Sequence, residues 1–371
     1  MDTTSLGERQ ELAAAIRALL DQRSPEPAVR AAMASGPGHD AALWSTLTRE
    51  MGLAAMAVPE RFGGAGAGWA DLGVVFRELG RSLACVPFLS TVGLGAATLL
   101  ASEDETACAR WLPGIAAGES TATAAIFGNP DAVTARPSGG DWLLSGNVAG
   151  VLDGATAGLL LVPARTAGGV SLFAVPDPEH RRPGTIRTSD LTRRVAAVAL
   201  DGAPAVLVGE RGAGAEIAEA AGRLARVALA HEQIGGAAAT VDMAVGYAKT
   251  RRQFGRVIGS FQAVKHRCAD MLVALESAES AAWAAACAAD SSAPDLPLIT
   301  DIASVVCGEA YVRCASDNVQ IHGGIGFTWE HPAQLHVKRS RGSAVLFGTP
   351  NERRASLANR VPTLRAPAGT P

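Results

Sequence analysis

The chain has 371 residues, 48% of them hydrophobic and 19% charged, with a formal net charge of -3. That length exceeds one ordinary core and points to two or three domains of ~100–200 residues each. The near-neutral charge excludes a protein built mainly to grip the nucleic-acid backbone, and the apolar content excludes disorder as the main state.

Residues 7–118 read as helical. Within them, 11–20 places apolar residues at three- and four-residue spacing, and similar patterns recur at 40–52, 70–84 and 90–112. Between these lies Val58-Pro59-Glu60-Arg61-Phe62, followed by glycines at 63, 64, 66 and 68. This is a loop and not a dinucleotide turn, because Trp69 stands where the third glycine of that fingerprint belongs. The uncharged run at 83–101 contains Pro87, Gly93, Gly95 and several hydroxyl residues, so it is expected as a buried helix and no membrane span is expected.

Residues 119–208 change texture. Short apolar runs at 142–144, 159–162 and 170–175, separated by Gly, Asp and Pro, predict strands of a small antiparallel β-domain. An Ala-rich stretch without proline then covers 213–249, followed by 259–290 and 296–318, and these predict long, closely packed helices. The Pro- and Ala-rich end, 362–371, is expected to be a flexible tail. Helices, then strands, then helices make an α+β chain with segregated layers.

The cysteines stand at 85, 108, 268, 287, 307 and 314, with no Cys-x-x-Cys pair and no neighbouring His at metal-site spacing. No metal site is expected, and reduced thiols of a cytoplasmic protein are the simplest reading. The first residues show no basic region followed by an apolar stretch, so no secretory signal is expected.

Two segments carry chemistry. Arg251-Arg252-Gln253-Phe254-Gly255 is followed by Phe261-Gln262. Two guanidiniums at a helix end, a Gly turn and a Gln eleven residues after the first Arg suit a pyrophosphate, whose oxygens match arginine's fork. A solvated basic helix terminus, favoured by the helix dipole, accounts for the same residues. The second segment runs from Gln320-Ile321-His322-Gly323-Gly324 to His331. Paired glycines after a helix let the backbone approach a bulky ligand. His322 reads either as a ligand-facing donor or as a satisfied core histidine. A third run, Lys338-Arg339-Ser340-Arg341 through Arg353-Arg354, is either a phosphate-facing patch or a solvated face.

Taken in order, these segments resemble the acyl-CoA dehydrogenase family over nearly the whole chain. Val58-Pro59-Glu60-Arg61-Phe62-Gly63-Gly64, Glu78-Leu79-Gly80-Arg81-Ser82 and Ser189-Asp190-Leu191-Thr192-Arg193-Arg194 add to the match. The resemblance implies a helical domain at 1–118, a middle antiparallel β-barrel-like domain at 119–208 and a C-terminal four-helix bundle at 209–361. It implies a homo- or hetero-tetramer with FAD shared across a subunit boundary, acting on an acyl-CoA or acyl-carrier thioester. By matching positions it implies contacts to FAD from Arg251, Gln253, Phe254, Gln262, Gln320, Gly323, Gly324 and Thr349, all but the last on the ADP half.

The family takes a proton from Cα of the thioester and passes hydride from Cβ to the flavin, so it needs a carboxylate base. The two positions that supply it in family members hold Phe347, just before Gly348-Thr349, and Ala225 on the long helix. The catalytic residue is therefore unknown. Glu232 lies seven residues beyond Ala225, ~10 Å along a helix, whereas direct proton transfer requires ~3 Å. Glu330, on a loop, has no such role in the family. The polar flavin-facing segments are replaced by Phe127-Gly128-Asn129-Pro130-Asp131-Ala132 and Gly150-Val151-Leu152. An intact ADP side beside a lost flavin face implies the base-lacking subunit of a heteromeric, actinobacterial-type complex, acting on fatty or steroid-derived acyl chains. The alternatives are a self-sufficient homomer with an unrecognised base, a non-catalytic acyl-CoA-binding scaffold, and a flavin monooxygenase on the same fold.

Overall fold

Helices α1 (Thr3–Arg23), α2 (Glu26–Ala34), α3 (Ala41–Ser45), α4 (Trp69–Ser82), α5 (Ala97–Ala101) and α6 (Glu105–Ala116) form the first layer of a computed structural model that describes residues 3–176 and 178–360. Leu72, Val75, Phe76 and Leu79 recur at three- and four-residue spacing and turn one stripe of α4 into the core. Its other side is tied to α1 by Arg9–Asp71 and Arg17–Glu78 ion pairs. The helical pattern expected across 90–112 is not one helix. A π-helical stretch at Leu89–Ala96 leads into α5, Glu103 turns the chain with a φ of 53°, and Asp104 restarts it by accepting from Ala107 N at 2.9 Å.

The middle layer holds β1 (Ala122–Ala124), β2 (Val133–Ser138), β3 (Asp141–Leu152), β4 (Leu159–Thr166), β5 (Gly169–Val175), β6 (Arg181–Thr185) and β7 (Val195–Val208). The strand order is β1-β4-β2-β3-β7-β5, with β6 beside β7, and an additional β4–β5 pairing closes the ring. Most pairs are antiparallel, while β1 and β2 each join β4 in parallel. Val133, Leu144, Leu160, Val162, Phe173 and Val198 fill the interior, as closure of a short-stranded sheet requires.

The last layer comprises α7 (Gly214–Thr250), the hairpin β8 (Arg252–Gln253) and β9 (Arg256–Val257), then α8 (Gln262–Asp290), α9 (Leu296–His322), α10 (Gly324–Phe327), α11 (Ala333–Ser343) and α12 (Pro350–Arg360). Helix α7 serves two cores: Ala225 and Ala228 face the N-terminal layer, while Ala230, Ile234 and Ala237 face α8 and α9. It crosses α4 backbone to backbone. A Cβ added at Gly235 would stand 1.8 Å from the Arg77 carbonyl oxygen, and one at Gly80 2.0 Å from that of Glu232. Only glycine permits that approach.

The expected tail at 362–371 lies outside the described residues. Among those described, no helix is long and apolar enough to cross a membrane, and no cluster of His, Cys, Asp or Glu could hold a metal ion.

Candidate functional site

A cleft of about 590 Å³ opens between the barrel and α7, with α9 and α12 at its edge. At its inner end Phe127, in the loop after β1, stacks on Phe347, with ring centroids 4.5 Å apart and planes 20° from parallel. Phe347 is 4% exposed. It sits in the turn after α11, where Gly348 adopts a φ of 108° and Thr349 starts α12. Thr349 N donates to Glu352 Oε2 at 2.7 Å, and Glu352 N donates to Thr349 Oγ1 at 3.3 Å. That reciprocal pair is a capping box, so the turn that presents Phe347 is held from both sides. Ala225 is fully buried in the same core. Residues 225 and 347 are thus both apolar and built into packing.

The other two acids are engaged elsewhere. Glu232 lies between two guanidiniums: Arg193 Nη2 donates to it, and Arg339 Nη1 stands 3.7 Å away. Arg193 Nη1 also donates to Ser343 Oγ at 2.9 Å, and Arg339 Nε lies 3.9 Å from Asp190. Asp190, Glu232 and Arg339 are buried, and the Arg193 side chain is only 9% exposed. Burial alone would lower Arg339, but Glu232 and Asp190 outweigh it and hold its pKa up. A carboxylate shared by two buried arginines is a structural counter-ion, not a free base. Glu330 is exposed, and hydrogen bonds from its own backbone N–H and from Thr328 hold its carboxyl below the usual range. His322 is a core histidine: its Nδ1 lies 2.8 Å from Asn318 O, and its ring stacks on Tyr247 at 4.3 Å.

Tyr247 on His322 brings the end of α7 to the end of α9, and the Arg267–Asp317 ion pair fixes the start of α8 beside them. Arg251, Gln253, Phe254, Gln262, Gln320, Gly323 and Gly324 therefore gather at one end of the bundle, all exposed. The β8–β9 turn places Phe254 at a φ of 53° and Gly255 at 77°, and the Phe254 ring is 90% exposed. A bulky residue in left-handed backbone with its ring in water is costly on both counts, and such strain gathers at functional sites. Gln253 Nε2 donates to Arg252 O at 2.9 Å. Added Cβ atoms at Gly323 and Gly324 would meet nothing within 4 Å, so this surface is open to a ligand. Thr349 stands apart. Its helix is anchored by Arg353 to Asp301, near the start of α9. Asp301 is separated from Gln320 by ~28 Å of helix.

Arg226 escaped sequence reasoning. It lines the cleft with Arg223, Arg353 and Arg360. The available signal was a charged residue next to Ala225 on an Ala-rich stretch of the long helix.

A helical layer, a closed β-barrel and a helical bundle that carries a basic hairpin define the acyl-CoA dehydrogenase fold. The family model "Acyl-CoA dehydrogenase, N-terminal domain" matches residues 7–119, and "Acyl-CoA dehydrogenase, C-terminal domain" matches residues 212–361. The chain belongs to the acyl-CoA dehydrogenase family of oxidoreductases. It is 37% identical to acyl-CoA dehydrogenase IpdE2 of Mycolicibacterium smegmatis over 354 residues, which cover 95% of this chain and 99% of that one. Among solved structures, a Tcur3481-Tcur3483 steroid ACAD variant is 30% identical with a TM-score of 0.85, covering 95% of this chain and 97% of its own. The ChsE4-ChsE5 complex from Mycobacterium tuberculosis is 27% identical with a TM-score of 0.88, covering 96% and 98%.

Proposed function

We propose that this chain is the partner subunit of a heteromeric acyl-CoA dehydrogenase, clamping the ADP half of an FAD whose flavin reacts in another chain. The observation that carries this reading is Phe347: the position that would supply the base is a buried ring stacked on Phe127. Family FAD, when bound, accepts hydride from Cβ of an acyl thioester. The exposed set at the bundle end suits its nucleotide half. Arg251 offers a guanidinium to the pyrophosphate, Gln253, Gln262 and Gln320 offer amides, Phe254 offers a ring, and Gly323 and Gly324 offer open backbone. The cleft's inner end does not suit the flavin half, because Ile126 and Phe127 present only hydrocarbon.

A second chain is also favoured by what lies bare around the clamp. Phe254 at 90% and Phe327 at 84% exposure, with Ile325 and Trp329 also exposed, are apolar side chains that a lone chain would leave in water. The ChsE4-ChsE5 structure is a complex of two named chains, and the chain's similarity to it fits the same arrangement. Division at 1–118, 119–208 and 209–361 belongs to this reading, as does a thioester of a fatty or steroid-derived acid as substrate of the complex.

The test is coexpression with candidate second chains, purification of the complex and a count of flavin per polypeptide. The expected result is a colourless isolated chain and about one FAD for every two chains in the complex. A pure homomer carrying one flavin per chain, bleached by an acyl-CoA without oxygen, would overturn the proposal in favour of a self-sufficient enzyme.

A further inference from the structure

The cleft beside the aromatic pair holds more positive charge than its own acids neutralise. Arg223, Arg226, Arg353 and Arg360 line it with only Glu219 and Asp301. Glu219 is taken by Arg223 at 2.9 Å. Asp301 is taken by Arg353 at 3.4 Å, Arg360 at 3.7 Å and the Ser356 hydroxyl at 2.6 Å. Arg226 is left without a carboxylate among the described residues. Its Nε and the Nε of Arg353 are both shielded from solvent with no hydrogen-bond partner. Burial and the nearby charge of Arg353 draw the Arg226 pKa down to about 10. A buried, unpaired guanidinium donor is expensive unless something negative arrives to meet it.

The rest of the wall is apolar: Ile126, Phe127, Val148, Pro163, Val170 and Ala218. The volume is that of a site for an organic molecule and far exceeds what a lone ion needs. We propose that this cleft binds an apolar organic acid, with its carboxylate on Arg226 and Arg353 and its hydrocarbon body against the barrel wall. The Phe127–Phe347 stack closes the inner end, so the ligand enters from solvent and stops short of position 347. Binding requires neither flavin nor a second chain. Its failure would leave the clamp reading untouched, because the clamp lies at the far end of α9.

Titration calorimetry on the full chain tests this with octanoate and its uncharged analogue octanamide. Octanoate is expected to bind once per chain, at least tenfold tighter than octanamide, and to weaken as salt rises. Arg226→Gln is expected to weaken octanoate tenfold or more with octanamide unchanged, as loss of one charge-assisted contact implies. The acid has two sources, a free acid or the acyl group of a thioester. Tighter binding of octanedioyl-CoA than of octanoyl-CoA assigns the second, and equal binding assigns the first. No octanoate binding, equal affinity for octanoate and octanamide, or displacement of octanoate by desulfo-CoA alone would overturn the proposal. The octanoate and octanamide comparison uses the unaltered chain and decides even where the variant fails to fold.

Discussion

Phe127 and Phe347, from the loop after β1 and the turn after α11, lie face to face with centroids 4.5 Å apart. The pair joins the loop after β1 to the C-terminal layer beside the cleft. Each ring packs against the other, and Phe347 is built into the core at 4% exposure.

Phe347→Ala removes a buried ring and leaves a cavity under Arg226 and Arg353, which border a void of about 20 Å³ there. The expected cost is about 3–5 kcal/mol in urea denaturation. FAD content of the coexpressed complex should stay the same, because the clamp is remote. Loss of flavin in a variant that remains folded would place position 347 at the cofactor after all.

Glu232→Gln separates a structural role from a catalytic one. Removing the carboxylate charge leaves Arg193 and Arg339 buried against each other, and a broken buried pair costs about 3–5 kcal/mol. A base would show the opposite pattern, with turnover gone and stability kept. Denaturation midpoints and complex activity, measured on one preparation, tell these apart.

Arg251→Ala and Phe254→Ala probe the clamp. Both side chains are exposed, so stability of the isolated chain should change by less than about 0.5 kcal/mol. In the complex, Arg251→Ala should weaken FAD at least tenfold through loss of a charge-assisted phosphate contact, at about 1.5–3 kcal/mol. Flavin retained on a desalting column at the unaltered ratio would count against the assignment.

Much of this was legible before the fold. The Ala-rich run without proline at 213–249 and the runs at 259–290 and 296–318 marked α7, α8 and α9, because helix periodicity is a local property. The apolar character of positions 225 and 347 was legible too, since Ala225 and Phe347 are identities at single positions. Partners from distant segments were not. Glu232 reads from its neighbours as an acid two turns from Ala225, and only packing brings Arg193 and Arg339 onto it. The same holds for His322, whose core role depends on Tyr247 across the bundle. Arg226 was hidden because what matters is the partner it lacks, and a one-dimensional pattern cannot count the carboxylates around it.

Two buried histidines make stability depend on pH. His231 Nδ1–H donates to Val227 O (3.0 Å), and His336 meets the Tyr311 hydroxyl at 2.9 Å. Burial draws His231 down to about 4 and His336 down to about 3. Both values lie below the unfolded ~6.5, so the unfolded chain binds the extra protons. The contribution is therefore fully present above pH 6.5 and is lost as pH falls toward the folded values. Between pH 7 and 5 the two groups together should remove about 4 kcal/mol, with nearly two protons taken up per unfolding event at pH 5. Buried Asp153, pushed up by desolvation and accepting a 2.6 Å bond from Ser90, works in the opposite sense as pH rises above its unfolded ~3.9. The histidine share is isolated with His231→Asn, which keeps a polar atom near Val227 O but cannot charge. The pH slope of its urea midpoint should fall by about half, and an unaltered slope would show that His231 titrates alike in the folded and unfolded chains.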